Sequence, residues 1–109
     1  MLTLPIKKKW FDMILSGEKK EEYREKSHYY FQRFRYYNMK IRNSEDEEFH
    51  KPRFRACFRN GYSAGSHSFV AVCWVDIGEG RPEWGAEPGK EYFRLHIESI
   101  EGKDRAWTV

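Results

Sequence analysis

The chain has 109 residues, 39% hydrophobic and 34% charged, with a net charge of +3. That supports one globular domain with one core, excludes a disordered chain, and leaves no apolar run near the roughly 18 residues of a spanning helix. A charge of +3 is too small to hold nucleic acid by whole-chain attraction, so any such binding must come from local clusters. The start, Met-Leu-Thr-Leu-Pro-Ile-Lys-Lys-Lys, places its charges after a short apolar run, the reverse of a secretion signal, and a cytoplasmic location is expected. Cys57 and Cys73 lack Cys-x-x-Cys spacing and the four histidines are scattered, so no metal site is expected and both cysteines are expected to be thiols. Counting outward from a turn near Ala64 and Gly65 nevertheless puts the two cysteines opposite one another if their strands pair.

Residues 2–6 read as a short strand, which Pro5 confines to an edge or an end because it donates no ladder hydrogen bond. In residues 7–16, Trp10, Phe11, Ile14 and Leu15 share one apolar face, predicting a helix that Gly17 closes. Its first turn carries Lys7, Lys8 and Lys9, the wrong sign for the helix dipole. Free N–H groups and three ammoniums there suit a phosphate; otherwise the lysines are solvated at a small loss of stability. Residues 18–25 predict a second strand, with Lys20, Glu22 and Arg24 on one face and Lys19, Glu21 and Tyr23 on the other. Lys19 and Glu22 then share a cleft only if Lys19 still belongs to the turn, which is the expectation.

Residues 27–39 predict a second helix with Ser27 as N-cap and a core stripe of Tyr30, Phe31, Phe34 and Tyr37; Tyr29 and Tyr36 lie off the stripe as candidates for stacking bases. Residues 40–52 form a polar connection that includes the acidic run 45–48. In residues 53–59, Phe54, Ala56 and Phe58 point inward, while Arg53, Arg55 and Arg59 point outward and require an anion nearby, either the acidic run or a phosphate. Residues 60–66 are turn chemistry and include Tyr62, a candidate ligand contact. Residues 69–77 are a buried central strand. Residues 78–89 are a loop whose Trp84 plugs one end of a barrel or stacks on a ligand. Residues 91–101 are the last strand, with Phe93, Leu95 and Ile97 inward and Tyr92, Arg94, His96 and Glu98 on the other face. The sum is an α+β domain whose sheet curls into a small barrel with two or more flanking helices.

The octapeptide Gly17-Glu18-Lys19-Lys20-Glu21-Glu22-Tyr23-Arg24 brings a potential proton donor, a carboxylate and a fixed guanidinium within six residues. Placed directly after a strand and an amphipathic helix, it resembles the Gly-x-Lys-x-x-Glu-x-Arg signature of the ASCH (activating signal cointegrator homology) domain of the PUA-like superfamily. All four signature positions are filled. The likeness is clear over about the first quarter of the chain and extends as a strand pattern to Ile100.

The resemblance implies a single PUA-like barrel over residues 1–109, of the stand-alone bacterial or phage type, with a cleft between the first helix and the barrel. It implies RNA or a nucleotide as partner and no cofactor. Lys19 would contact phosphate or a base carbonyl, Glu22 would accept from a base edge or orient Lys19, and Arg24 would buttress Glu22 or bind phosphate. Arg55 and Arg59 would extend the basic track, with Lys7, Lys8 and Tyr62 as further ligand contacts. One ASCH branch hydrolyses the acetyl amide of N4-acetylcytidine with the signature lysine, a threonine where this chain has Glu22, and a later glutamate; ribonuclease activity is attributed to other relatives. Lys19 is kept and the threonine is absent, so the catalytic alternative rests on Lys19 and Glu22 as an acid–base pair. A protein-interaction module is the third reading.

Overall fold

Leu2, Leu4 and Ile6 alternate with Thr3 and Pro5, and in the computed structural model the three apolar side chains enter the core as strand β1 (Leu2–Ile6). The structure describes residues 1–36, 42–43, 52–63 and 65–103. After β1 come helix α1 (Lys8–Ser16), β2 (Glu21–Arg24), α2 (His28–Tyr36), β3 (Arg42–Asn43), β4 (Phe54–Asn60), β5 (Ser68–Glu79), a 3-10 turn (Pro82–Trp84) and β6 (Glu91–Lys103).

The strands form one curled half-barrel sheet in the order β1-β4-β5-β6-β2, with β3 beside β5. β1 runs parallel to β4, and β4, β5, β6 and β2 are antiparallel in turn. Phe58 and Phe69 stack on its inner face at 5.3 Å between ring centroids. Helix α1 adds Phe11 at 5.0 Å from Phe69, and α2 adds Phe34, edge-on to Phe93 at 5.2 Å. The side-chain oxygen of Ser27 accepts from the Tyr30 N–H at 3.2 Å, as an N-cap should.

β1 and β2 stand at the two ends of the strand order and do not pair. Arginines satisfy the edge instead: Arg24 donates to the Pro5 carbonyl at 2.9 Å and Arg33 to the Thr3 carbonyl at 3.5 Å. The barrel therefore stays open on this side.

The register of β5 against β6 skips one residue of β6 twice, passing from Gly102 to Ile100 and from Ser99 to Ile97. The extra residues are Glu101 and Glu98. A bulge re-aims its side chain, and these two meet Arg55 and Arg53 in two-pronged ion pairs. The anion expected for these arginines thus comes from β6; residues 45–48 lie outside the described residues, as do Tyr37 and Met39.

Four other expectations change. The connection over residues 40–52 contributes a short strand, β3, because Arg42 and Asn43 pair with Asp76 and Ile77. β2 starts at Glu21, three residues later than expected, and β5 continues through Gly78 to Glu79. The cysteines are not opposite one another: Cys57 faces Val70 and Cys73 faces Phe54. Both are free, and burial pushes the Cys73 thiol up to about 12. No helix among the described residues is long and apolar enough to cross a membrane.

Phe34 is fully buried and anchors α2, which carries Tyr30. Phe34→Ala is expected to lower stability by about 3–5 kcal/mol in urea unfolding; a loss under about 1 kcal/mol would mean that α2 is not packed as described.

Candidate functional site: a charged cleft at the open edge

The site begins where α1 stops. Gly17 adopts φ +85, the left-handed conformation open to glycine, and its N–H bonds the Ile14 carbonyl. The Lys19 N–H then bonds the Met13 carbonyl at 2.9 Å, holding Lys19 in the turn ahead of β2. Strict alternation would put Lys19 and Glu22 on opposite faces; the turn removes that conflict. Lys19 is 1% exposed, with its ammonium 3.3 Å from Glu22 Oε1.

Three further groups enclose the ammonium. It donates to the Trp84 carbonyl oxygen at 2.5 Å and lies 4.7 Å from the centre of the Trp10 ring and 4.9 Å from that of Tyr23. Trp84 thus serves through its main chain. Its side chain neither plugs the barrel nor lines the cleft; Arg81 lies over the indole at 4.8 Å. Gly85, at φ +103, lets the turn come this close, since a Cβ there would sit 3.0 Å from Trp10.

Burial pulls the Lys19 ammonium below its ordinary pKa, against the opposing attraction of Glu22. Arg24 moves the other way: burial would lower it, but the Glu22 carboxylate and the Tyr30 hydroxyl hold it above its usual value. Its guanidinium donates to Glu22 Oε2 at 2.7 Å, the Pro5 carbonyl at 2.9 Å and the Tyr30 hydroxyl at 3.1 Å. One side chain thereby ties β2 to β1 and α2. Its Nε is buried without a partner.

Above this cluster opens a cleft of about 400 Å³, bordered by the end of β1, the start of α1, β2 and the turn after β4. Glu22 and Arg24 form its charged wall, while Trp10, Tyr23, Tyr30, Tyr62 and Tyr92 supply aromatic surface. Glu22 carries one negative charge between two positive ones, which leaves the buried group at a net positive charge. Such a wall accepts an anion or a polarised carbonyl.

The remaining sequence candidates fall in different places. Lys7 and Tyr62 line the cleft, and Tyr62 is 89% exposed. Lys8 is on the surface, paired with Asp12 at 2.6 Å. Arg55 lies outside the cleft, paired with Glu101. Arg59 follows it on the same strand and is also outside the cleft. Tyr29 packs edge-on against Tyr30 and does not line the cleft; the Tyr36 side chain lies outside the described residues. Tyr30, expected in the core stripe, and Trp10, expected on the apolar face of α1, also line the cleft, while Tyr92 and the Trp84 carbonyl join the site without being expected there. A tyrosine in an apolar stripe is the available signal, because its hydroxyl needs a polar partner.

Behind Tyr23 stands a second network. Asp76, 1% exposed, takes two bonds from Arg94 at 2.8 and 2.7 Å and one contact with His96 Nε2 at 2.8 Å. A carboxylate only accepts, so Nε2 carries the proton. The His96 ring stacks on Trp74 at 3.7 Å, and its Nδ1 lies 3.9 Å from Glu21. Glu21 accepts from the Tyr23 hydroxyl at 2.9 Å, and that hydroxyl accepts from the Arg81 N–H at 2.9 Å. The network thus fixes the ring of Tyr23 and the start of the 3-10 turn.

Compared with protein-family models, curated proteins and solved structures, the chain matches none.

Two outcomes test this geometry. Removing one partner of a buried ion pair strands the other, so Lys19→Ala is expected to lower stability by about 3–5 kcal/mol in urea unfolding, whereas Lys8→Ala, at an exposed pair, should change it by less than about 1 kcal/mol. Equal effects would contradict the burial of Lys19. Burial alone would raise the Asp76 carboxyl, but its bonds with His96 and Arg94 hold it below the usual range. A depressed carboxyl contributes stability above its unfolded pKa and loses it as the pH falls through the folded value. Asp76→Asn should therefore flatten the acid limb of a stability-against-pH curve below about pH 4; an unchanged limb would contradict the network.

Proposed function

We propose that this protein is a PUA-like barrel of the ASCH kind whose cleft binds a nucleotide or a short stretch of single-stranded RNA. The observation that carries the reading is the cleft itself: a ligand-sized hollow with aromatic sides, resting on the Lys19–Glu22–Arg24 cluster. Aromatic faces stack on bases regardless of sequence, contributing about 1–3 kcal/mol per base. The net positive wall and Lys7 at its border favour phosphate. The octapeptide signature agrees, since all its positions but the exposed Lys20 belong to the turn that sets Lys19 or to β2.

The outward arginines limit the length of the ligand. Arg53 and Arg55 are matched by Glu98 and Glu101, so the sheet offers them as neutral pairs and not as a bare basic track. A ligand of one to a few nucleotides fits better than a long strand.

The position of Lys19 favours a second reading, hydrolysis. An ammonium below its ordinary pKa, 3.3 Å from a carboxylate, can exchange a proton with it, and Glu22, the member of the pair that lines the cleft, would meet a phosphodiester or an amide of a modified nucleoside. The missing threonine weighs against the amide.

Fluorescence anisotropy of a labelled four-nucleotide RNA is expected to show saturable binding at low salt that weakens as salt rises. Tyr62→Ala, at an exposed position, should weaken it severalfold with the fold intact. Absence of binding at low salt would reject the proposal. Turnover of labelled RNA or N4-acetylcytidine, abolished by Glu22→Gln in a folded variant, would add the catalytic role.

A further inference from the structure

The cleft wall has an order of hydrogen-bonding groups that discriminates among bases. Arg24 donates from one terminal nitrogen to Glu22 and from the other to the Tyr30 hydroxyl. A guanidinium is planar and rigid, so these two acceptors are held side by side. Lys19 and Arg24 each occupy one oxygen of Glu22, and a carboxylate oxygen has a second lone pair to offer. The Tyr30 oxygen already accepts from Arg24, and among the described residues no acceptor takes its own proton. Along the wall, Glu22 followed by Tyr30 reads acceptor, acceptor, donor.

We propose that the cleft selects guanine, with Glu22 accepting from the adjacent 2-amino and N1–H groups of the base and Tyr30 donating to its O6. The inference rests on the nucleotide-binding reading above and goes further by naming the base. Guanine alone among the four common bases places two N–H donors next to one another with a carbonyl beside them. Adenine and cytosine follow their amino group with a ring nitrogen whose lone pair would face the Glu22 carboxylate. Uracil flanks its single N–H with carbonyls on both sides, so one of them would face that carboxylate. Each mismatch sets a base lone pair against the Glu22 carboxylate, and discrimination comes from this penalty as much as from the favourable bonds. The exposed ring of Tyr62, on the turn beside Gly61, is free to close over the base, and Lys7 at the start of α1 lies on the border where a 5′-phosphate would emerge.

The test is calorimetric titration of the full chain at low salt with the 5′-monophosphates of guanosine, adenosine, cytidine, uridine and inosine. Guanosine monophosphate is expected to bind at least about tenfold more tightly than the other three common nucleotides. Inosine monophosphate lacks only the 2-amino group and should bind severalfold more weakly than guanosine monophosphate, a comparison that needs no variant and so survives any misfolding of Glu22 substitutions. Tyr30→Phe, which keeps the ring, should reduce guanosine monophosphate binding by a larger factor than adenosine monophosphate binding; an equal loss for both would remove the Tyr30 hydroxyl from the reading of O6. Equal affinity for all five nucleotides would overturn guanine selection and leave nucleotide binding standing. Failure of all five to bind would overturn both. Equal affinity for the guanosine and inosine forms would remove Glu22 from the role of reading the 2-amino group and overturn the assignment.

Discussion

The carboxylate of Glu22, held between the Lys19 ammonium and the Arg24 guanidinium, sets the geometry of the open side of this molecule. No backbone ladder joins β1 to β2. What bridges them is Arg24, which bonds Glu22 within β2 and reaches the Pro5 carbonyl of β1, while Lys19, on the other oxygen of Glu22, reaches the Trp84 carbonyl of the 3-10 turn. Burying three charges contributes little net stability, because desolvation offsets most of the attraction. Its effect is geometric. The cluster locks the end of α1, the start of α2, both edge strands and the 3-10 turn around one hollow.

Charge is distributed unevenly over the rest of the sheet. On the outer face, the bulged residues Glu98 and Glu101 neutralise Arg53 and Arg55, and Asp76 is matched by Arg94 and His96. At the cleft a carboxylate faces two cations, which leaves the Lys19–Glu22–Arg24 group net positive, while Glu25 at the border pairs with Lys90. A small net charge for the whole chain is therefore compatible with a local preference for anions, because burial reduces the screening that weakens exposed pairs. The outer network also reaches the cleft mechanically: the line of contacts from Asp76 through His96 and Glu21 ends on the Tyr23 hydroxyl, which holds both a cleft ring and the main chain of Arg81.

Much of this was legible in the sequence. The apolar alternation of Leu2, Leu4 and Ile6, the face made by Phe11 and Ile14, and the pattern of Phe54, Ala56 and Phe58 each specify an element through its buried side, and burial is what periodicity reports. Gly17 marked the reversal, and the need for Lys19 to leave the strand followed from the period of two. Less visible were the long-range partners. Nothing near Arg53 in sequence announces Glu98, because a bulge is an irregularity of pairing and not of composition. The role of the Trp84 carbonyl was hidden for a different reason: a main-chain oxygen carries no residue identity. Tyr30 reads as core because its spacing matches Phe34, and it does pack against the core, but spacing does not say that its hydroxyl ends on Arg24 at the border of a cleft.

The most direct test of the central claim, that Glu22 and Arg24, backed by the buried Lys19, form the wall of a ligand site, is a two-dimensional amide NMR titration of the chain with a mixture of the four ribonucleoside monophosphates. Shifts gathered on Glu22, Tyr23, Arg24, Tyr30, Gly61 and Tyr62 are the expected result. Shifts confined to the outer face around Trp74, Asp76 and His96, with the cleft residues unmoved at saturating ligand, would contradict it.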